Sequence, residues 1–280
     1  MIPSAFITEW RARVPWPEPS QVEQDLILSR LMVEIANNEL LGGELVMRGG
    51  TCLHKLHLPR AYRYSEDLDY VRRTAGPFGP YLDQLRAIAA STGLDVARVD
   101  RSGQMAHMIL DAQATDPHGH IRIKIETNIA ETTPFRTPTK IDHVVESRWW
   151  SGEASIATFV LDEMLSTKLR ALYQRRKGRD LFDLWLVLTG PETTPREIVG
   201  GLDHYMRKDV FTYPQVRLNL LAKLSDASFR ADLASLVAAM PEDYDADVAA
   251  DTVMERIGAL LRNAPPLDRI AGGRWRESVA

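Results

Sequence analysis

The chain has 280 residues, 45% of them hydrophobic and 26% charged, enough to bury one large core or two modest ones. A net charge of −4 gives no overall basic field, so any nucleic-acid contact must come from a local patch. The single cysteine, Cys52, excludes an internal disulfide framework and fits a reducing compartment. No basic-then-apolar leader opens the chain, and apolar runs such as LWLVL are too short to span a bilayer. These features predict a soluble, cytoplasmic protein with no membrane partner.

In chain order, the Pro-rich PWPEPS ends at Ser20, an expected N-cap. Leu26, Ile27, Met32, Val33, Ile35 and Leu40 then recur at helical spacing, up to Gly42-Gly43. ELVMRG reads as a short strand, TCLHKLHL as a short helix stopped by Pro59, and EDLDYV as another strand. A helix over about 81–90 precedes three β segments, DVARVD, MAHMILDAQ and HIRIKIETN. In the last, Ile121, Ile123 and Ile125 face one way and Arg122, Lys124 and Glu126 the other. Beyond about Trp150 the segments read as helices: 159–176, 180–190, 195–208, 215–240 and 245–261. The predicted architecture is α+β, with an α/β domain over 1–150 and an all-helical domain over 151–280.

Two constellations carry chemistry. Gly49-Gly50, at a strand-to-helix turn, suit a phosphate approached by backbone N–H groups; alone they also read as an ordinary turn. Asp67 and Asp69, two apart on a strand, put both carboxylates on one face, where a divalent cation would relieve their repulsion. A lone Asp-x-Asp reads equally as a solvated turn. Glu126 is a candidate third ligand for a two-metal site, and an edge-strand salt bridge explains it as well. In the second constellation, Lys168 sits at the edge of the Leu165–Leu169–Leu172 stripe, in a run with Arg170, Arg175, Arg176, Lys177 and Arg179. Asp180 reads as a helix cap, and Asp183 lies one turn on, beside Leu184 and Trp185. RDLFDLW lacks the glycine loop and spaced asparagine of a protein kinase. His118 to His120 read as a turn rather than a metal site.

Taken together, MRGGTCLHKLHLPRAYRYSEDLDYV, IRIKIETN, FVLDEMLSTKLRAL and GRDLFDLW resemble the AbiEii/AbiGii toxin family, which includes the MenT toxins. That family lies in the DNA polymerase β-like nucleotidyltransferase superfamily. The four blocks stand in the family's order and cover about 44–190. The resemblance implies a polymerase β-like N-terminal domain and a helical domain completing the active site. Gly49, Gly50 and Thr51 would contact nucleotide phosphates, with Arg48 or Lys55 assisting. Asp67 and Asp69, with Glu126, would hold Mg²⁺ in a two-metal site. Lys168 would bind the triphosphate, and Asp183 would be the essential acid that orients it.

The activity so implied is that of a toxin of a toxin–antitoxin system. It would transfer NMP from an NTP to the 3′ end of tRNA and block translation, opposed by a cognate antitoxin. The basic run would supply local RNA contacts. Ser65, two residues before Asp67, is an expected regulatory position, where a phosphate would compete with the NTP for metal and basic groups. The alternatives are transfer to a small molecule or a protein hydroxyl, and a catalytically inactive regulatory binding partner.

Overall fold

A computed structural model describes residues 2–117, 119–190, 193–206 and 211–277. The chain forms two compact units, Met1–Val160 and Leu161–Ala280. His118 and the end of the helix expected over 195–208 lie outside the described residues.

The N-terminal unit opens with helices α1 (Ser4–Arg11), α2 (Pro19–Asn37) and α3 (Glu39–Glu44). The N-cap of α2 is Glu18 rather than the expected Ser20, in a reciprocal capping box with Gln21. Pro19 takes the first helical position, where its missing N–H costs nothing. The helix stops before the two glycines: Asn38 caps the new helix α3 by accepting from the Leu41 amide at 3.0 Å. Gly42 is required there because a Cβ would lie 2.1 Å from the Ala36 carbonyl.

Strand β1 (Leu45–Arg48) leads into α4 (Gly49–Cys52), which runs on as a π-helical turn, Leu53–His57. After β2 (Asp67–Arg72) and α5 (Gly79–Thr92) come β3 (Asp95–Ser102), β4 (Met105–Gln113), β5 (His120–Asn128), β6 (Thr139–Glu146) and β7 (Ser151–Thr158). They form one seven-stranded mixed sheet in the order β3-β4-β5-β2-β1-β7-β6. β2 runs antiparallel to β1 and parallel to β5. Ile121, Ile123 and Ile125 are buried on one face of β5, and α2 packs against β5 and β7. The hairpin β6–β7 is absent from the expected elements. It is an edge pair that keeps residues 151–158 with the sheet, and the helical unit begins at Leu161.

The C-terminal unit consists of α6 (Leu161–Gln174), α7 (Gly178–Leu188), α8 (Pro195–Tyr205), α9 (Tyr213–Leu224), α10 (Ala227–Ala231) and α11 (Ala246–Arg256), followed by short 3₁₀ turns. The single helix expected over 215–240 is broken, because the Asp226 carboxylate accepts from the Ser228 amide and starts α10 afresh. At Gly178 a Cβ would sit 2.1 Å from the Phe229 carbonyl, so glycine lets α7 approach the backbone at α10. No described helix is long and apolar enough to cross a membrane.

Candidate functional site

The sheet register builds a polar row. Arg48 of β1 pairs with Asp69 of β2, Asp69 with Glu126 of β5, Glu126 with His107 of β4, and His107 with Asp100 of β3. One step along, Asp67 pairs with Lys124. Registered partners share a face, so these side chains stand together on the side of the sheet opposite Leu68 and Ile125. The sequence placed Asp67 and Asp69 on one face of a strand, and the strand order adds neighbours drawn from sixty residues away.

Asp69 lies hard against the turn before α4. Gly49 has φ +85, and a Cβ there would fall 2.1 Å from Asp69 Oδ2. Glycine at this position therefore satisfies both the left-handed backbone and the carboxylate's approach. A Cβ on Gly50 would lie 2.7 Å from Ser65 Oγ and 2.6 Å from an Arg63 guanidinium nitrogen. Thr51 faces the same strand and donates its hydroxyl to the Asp67 carbonyl at 2.6 Å. The Gly-Gly-Thr segment, Ser65 and the two aspartates are thus one contiguous feature.

Burial pushes the Asp67 carboxyl up to about 6; Lys124 opposes the rise, and Asp69, Glu66 and Glu126 add to it. Lys124 Nζ bridges Asp67 Oδ2 at 3.5 Å and Glu126 Oε2 at 3.2 Å. Burial would lower the Lys124 pKa, but Asp67 and Glu126 outweigh it and the net shift is upward. Glu126 also meets His107 Nε2 at 3.4 Å, and His107 Nδ1 meets Asp100 at 3.2 Å.

Glu126 stands beside Asp69 in register, and its carboxylate meets Lys124 at 3.2 Å and His107 at 3.4 Å. Among the described residues no three His, Cys, Asp or Glu side chains are grouped to hold a metal. Asp67 and Asp69 fit a divalent cation: both are hard oxygen donors on one face, and burial with the neighbouring acids disfavours the Asp67 charge. Lys55 is engaged within its own unit. Its ammonium meets Asp25 at 2.8 Å and Ser29 at 3.0 Å, and the buried Asp25 also accepts from the Trp10 and Trp16 indoles at 2.9 and 3.0 Å. That cluster ties the π turn to α2 and the N-terminal segment. Its sequence signal was an acid embedded in the apolar run of α2.

In the C-terminal unit, Lys168 of α6 and Asp183 of α7 meet at 2.8 Å, and both are buried. Asp180, expected as a cap, instead has no exposed surface and accepts a two-pronged contact from Arg175 at 2.7 and 2.9 Å; Lys168 lies 3.8 Å away. The basic run is largely answered within its own unit. Arg176 meets Asp226 at 3.3 Å, Lys177 meets Asp232 at 3.5 Å, and Arg170 lies 5.1 Å from the Tyr205 ring centre.

Comparison with known proteins matches this geometry to a family. No curated relative matches the chain. Among solved structures, the nucleotidyltransferase toxin MenT4 of Mycobacterium tuberculosis aligns over 99% of this chain and 94% of its own, with TM-score 0.53 at 15% identity. JHP933 of Helicobacter pylori aligns over 86% of this chain and 90% of its own, with TM-score 0.53 at 15% identity. At such identities the likeness concerns the fold. The family model described as nucleotidyl transferase AbiEii toxin, type IV toxin–antitoxin system, matches residues 30–263. That span takes in every block that carried the sequence resemblance, and the chain belongs to the AbiEii family of nucleotidyltransferase toxins.

Proposed function

We propose that this toxin transfers NMP from an NTP to the 3′ hydroxyl of tRNA with Mg²⁺, and so blocks translation. In this reading residues 1–150 are the nucleotidyltransferase domain and 151–280 the helical domain that completes its activity. The observation that carries the reading is the Asp67–Asp69 pair set against the Gly49–Thr51 turn. When bound, the metal would activate the acceptor hydroxyl and neutralise the leaving pyrophosphate. Asp67 and Asp69 hold it. Gly49, Gly50 and Thr51 bring backbone to the phosphates, with Arg48 beside Asp69. Lys168, oriented by Asp183, grips the triphosphate.

Ser65 is the proposed control point. Its hydroxyl faces Gly50, so a phosphate there would crowd the turn and add negative charge beside Asp67 and Asp69. Ser65→Glu should then be inactive and Ser65→Ala active; equal activity in the two would remove Ser65 from this role. A toxin of this family has a cognate antitoxin, and the acceptor is tested directly by incubation with each labelled NTP and total RNA. Label should run with tRNA, vanish on RNase treatment, and fall at least about a hundredfold in Asp67→Ala. Label on protein, or transfer retained by folded Asp67→Ala, would overturn the reading.

A further inference from the structure

The proposed chemistry assigns no role to Lys124, which stands in the acidic row beside Asp67. It is also placed where chemistry would be affected. Its ammonium lies 3.5 Å from Asp67 and 3.2 Å from Glu126, at the registered position beside Asp67. The lysine is half-buried on this face, with 36% of its side chain exposed, and bridges two carboxylates. Glu126 is itself held from behind by His107 at 3.4 Å, and His107 by Asp100 at 3.2 Å. The second carboxylate thus has Lys124 on one side and His107 on the other.

We propose that Lys124 is an exchangeable internal counter-ion that holds Asp67 before a divalent cation arrives and withdraws onto Glu126 when one binds. The inference rests on the reading of Asp67 and Asp69 as the metal-holding pair. The ammonium sits on Asp67 Oδ2, and a divalent cation held by the same carboxylate would repel it, which favours its withdrawal from Asp67. Glu126 makes that displacement inexpensive, because Lys124 keeps one ion-paired partner throughout. Lys124 is thus a positioning residue: it holds the Asp67 carboxylate, and by competing for it raises the metal concentration at which the site fills. This also gives Glu126 a role that does not require it to be a ligand.

Mn²⁺ titration followed by EPR at pH 8, on the full chain, separates the possibilities without reference to activity. Removing the competing charge in Lys124→Gln should tighten Mn²⁺ binding by about threefold to tenfold, the scale of one partly exposed charge interaction. Lys124→Arg keeps the charge and should stay within about twofold of the unmodified protein. Unchanged or weaker binding in a folded Lys124→Gln protein overturns the counter-ion. Asp67→Asn tests the underlying reading separately, since it must weaken binding if Asp67 holds the metal. If Asp67→Asn loses affinity while Lys124→Gln gains none, only the counter-ion falls. If Asp67→Asn binds as tightly as the unmodified protein, the metal reading falls and the counter-ion with it. Were the unmodified protein silent and Lys124→Gln to bind Mn²⁺, the lysine's blocking role would be shown directly; silence from both overturns both.

Discussion

In the N-terminal unit the Asp67 side chain is 33% exposed and shares one lysine with Glu126, whereas in the C-terminal unit Asp183 is wholly buried and meets Lys168 at 2.8 Å. In the first cluster Asp67 and Glu126 share Lys124; in the second, Arg175 and Lys168 face Asp180 and Asp183. A group intended for an external cation must be left partly unanswered, and that costs stability. A group that presents a lysine must first pay for burying it, which is why an acid accompanies it. The contrast predicts opposite stability effects when an acid is removed from each unit.

The largest effect is expected at Asp183. Asp183→Ala strands the Lys168 ammonium, which is 6% exposed and left with Asp180 at 3.8 Å. Breaking a buried pair from one side should destabilise the helical unit by roughly 3–5 kcal/mol. Urea unfolding measures it, and the double variant Lys168→Met with Asp183→Leu should recover most of the loss, since an apolar replacement leaves no stranded charge. A loss no smaller in the double variant would mean that packing, not charge, holds these helices together.

Asp67→Asn should act the other way. The Asp67 carboxyl is raised from 3.8 to about 6, so the folded chain favours its protonated form. That contribution to stability is complete below pH 3.8 and is lost as pH rises through about 6. At pH 8 the unmodified protein therefore carries an ionised group that folding disfavours, and asparagine removes it. Asp67→Asn should raise Tm by about 2–4 °C at pH 8 and leave it unchanged at pH 4, even as activity disappears. A lower Tm at pH 8 would show that the Lys124 contact outweighs burial, and the contrast between the two units would lose half its basis.

Much of this comparison was legible in sequence, and the rest has physical reasons for hiding. The β5 alternation of Ile121, Ile123 and Ile125 against Lys124 and Glu126 is a local period, so the buried face was readable. That Asp67 and Asp69 share a face followed from the same period. What Lys124 touches did not follow, because the parallel pairing of β2 with β5 depends on strand order, which no local pattern encodes. The β6–β7 hairpin was missed for a compositional reason. β6 is an edge strand with mostly exposed or half-buried residues, and β7 contains Gly152, Ala154 and Ala157, small residues rather than the β-branched ones that announce a strand. Lys55 stood next to a glycine turn and read as a phosphate ligand, while its partner Asp25 lies in a different element.

The smallest effect is expected in the basic run, and it sharpens the comparison from its exposed end. Lys177 meets Asp232 at 3.5 Å with 48% of its side chain exposed, so water already screens the pair. Lys177→Gln should change stability by about 0.5 kcal/mol or less. If the run is answered within its own unit, the same change should leave the salt dependence of tRNA binding unaltered. A lysine that instead leaves Asp232 for a backbone phosphate would release a counter-ion on binding, and its loss would lower the slope of log K against log salt by about one. Fluorescence anisotropy with labelled tRNA across a salt series reads that slope. A drop of that size would return Lys177 to the RNA surface and show that the acids facing the run are placeholders for phosphate, as Lys124 is for metal.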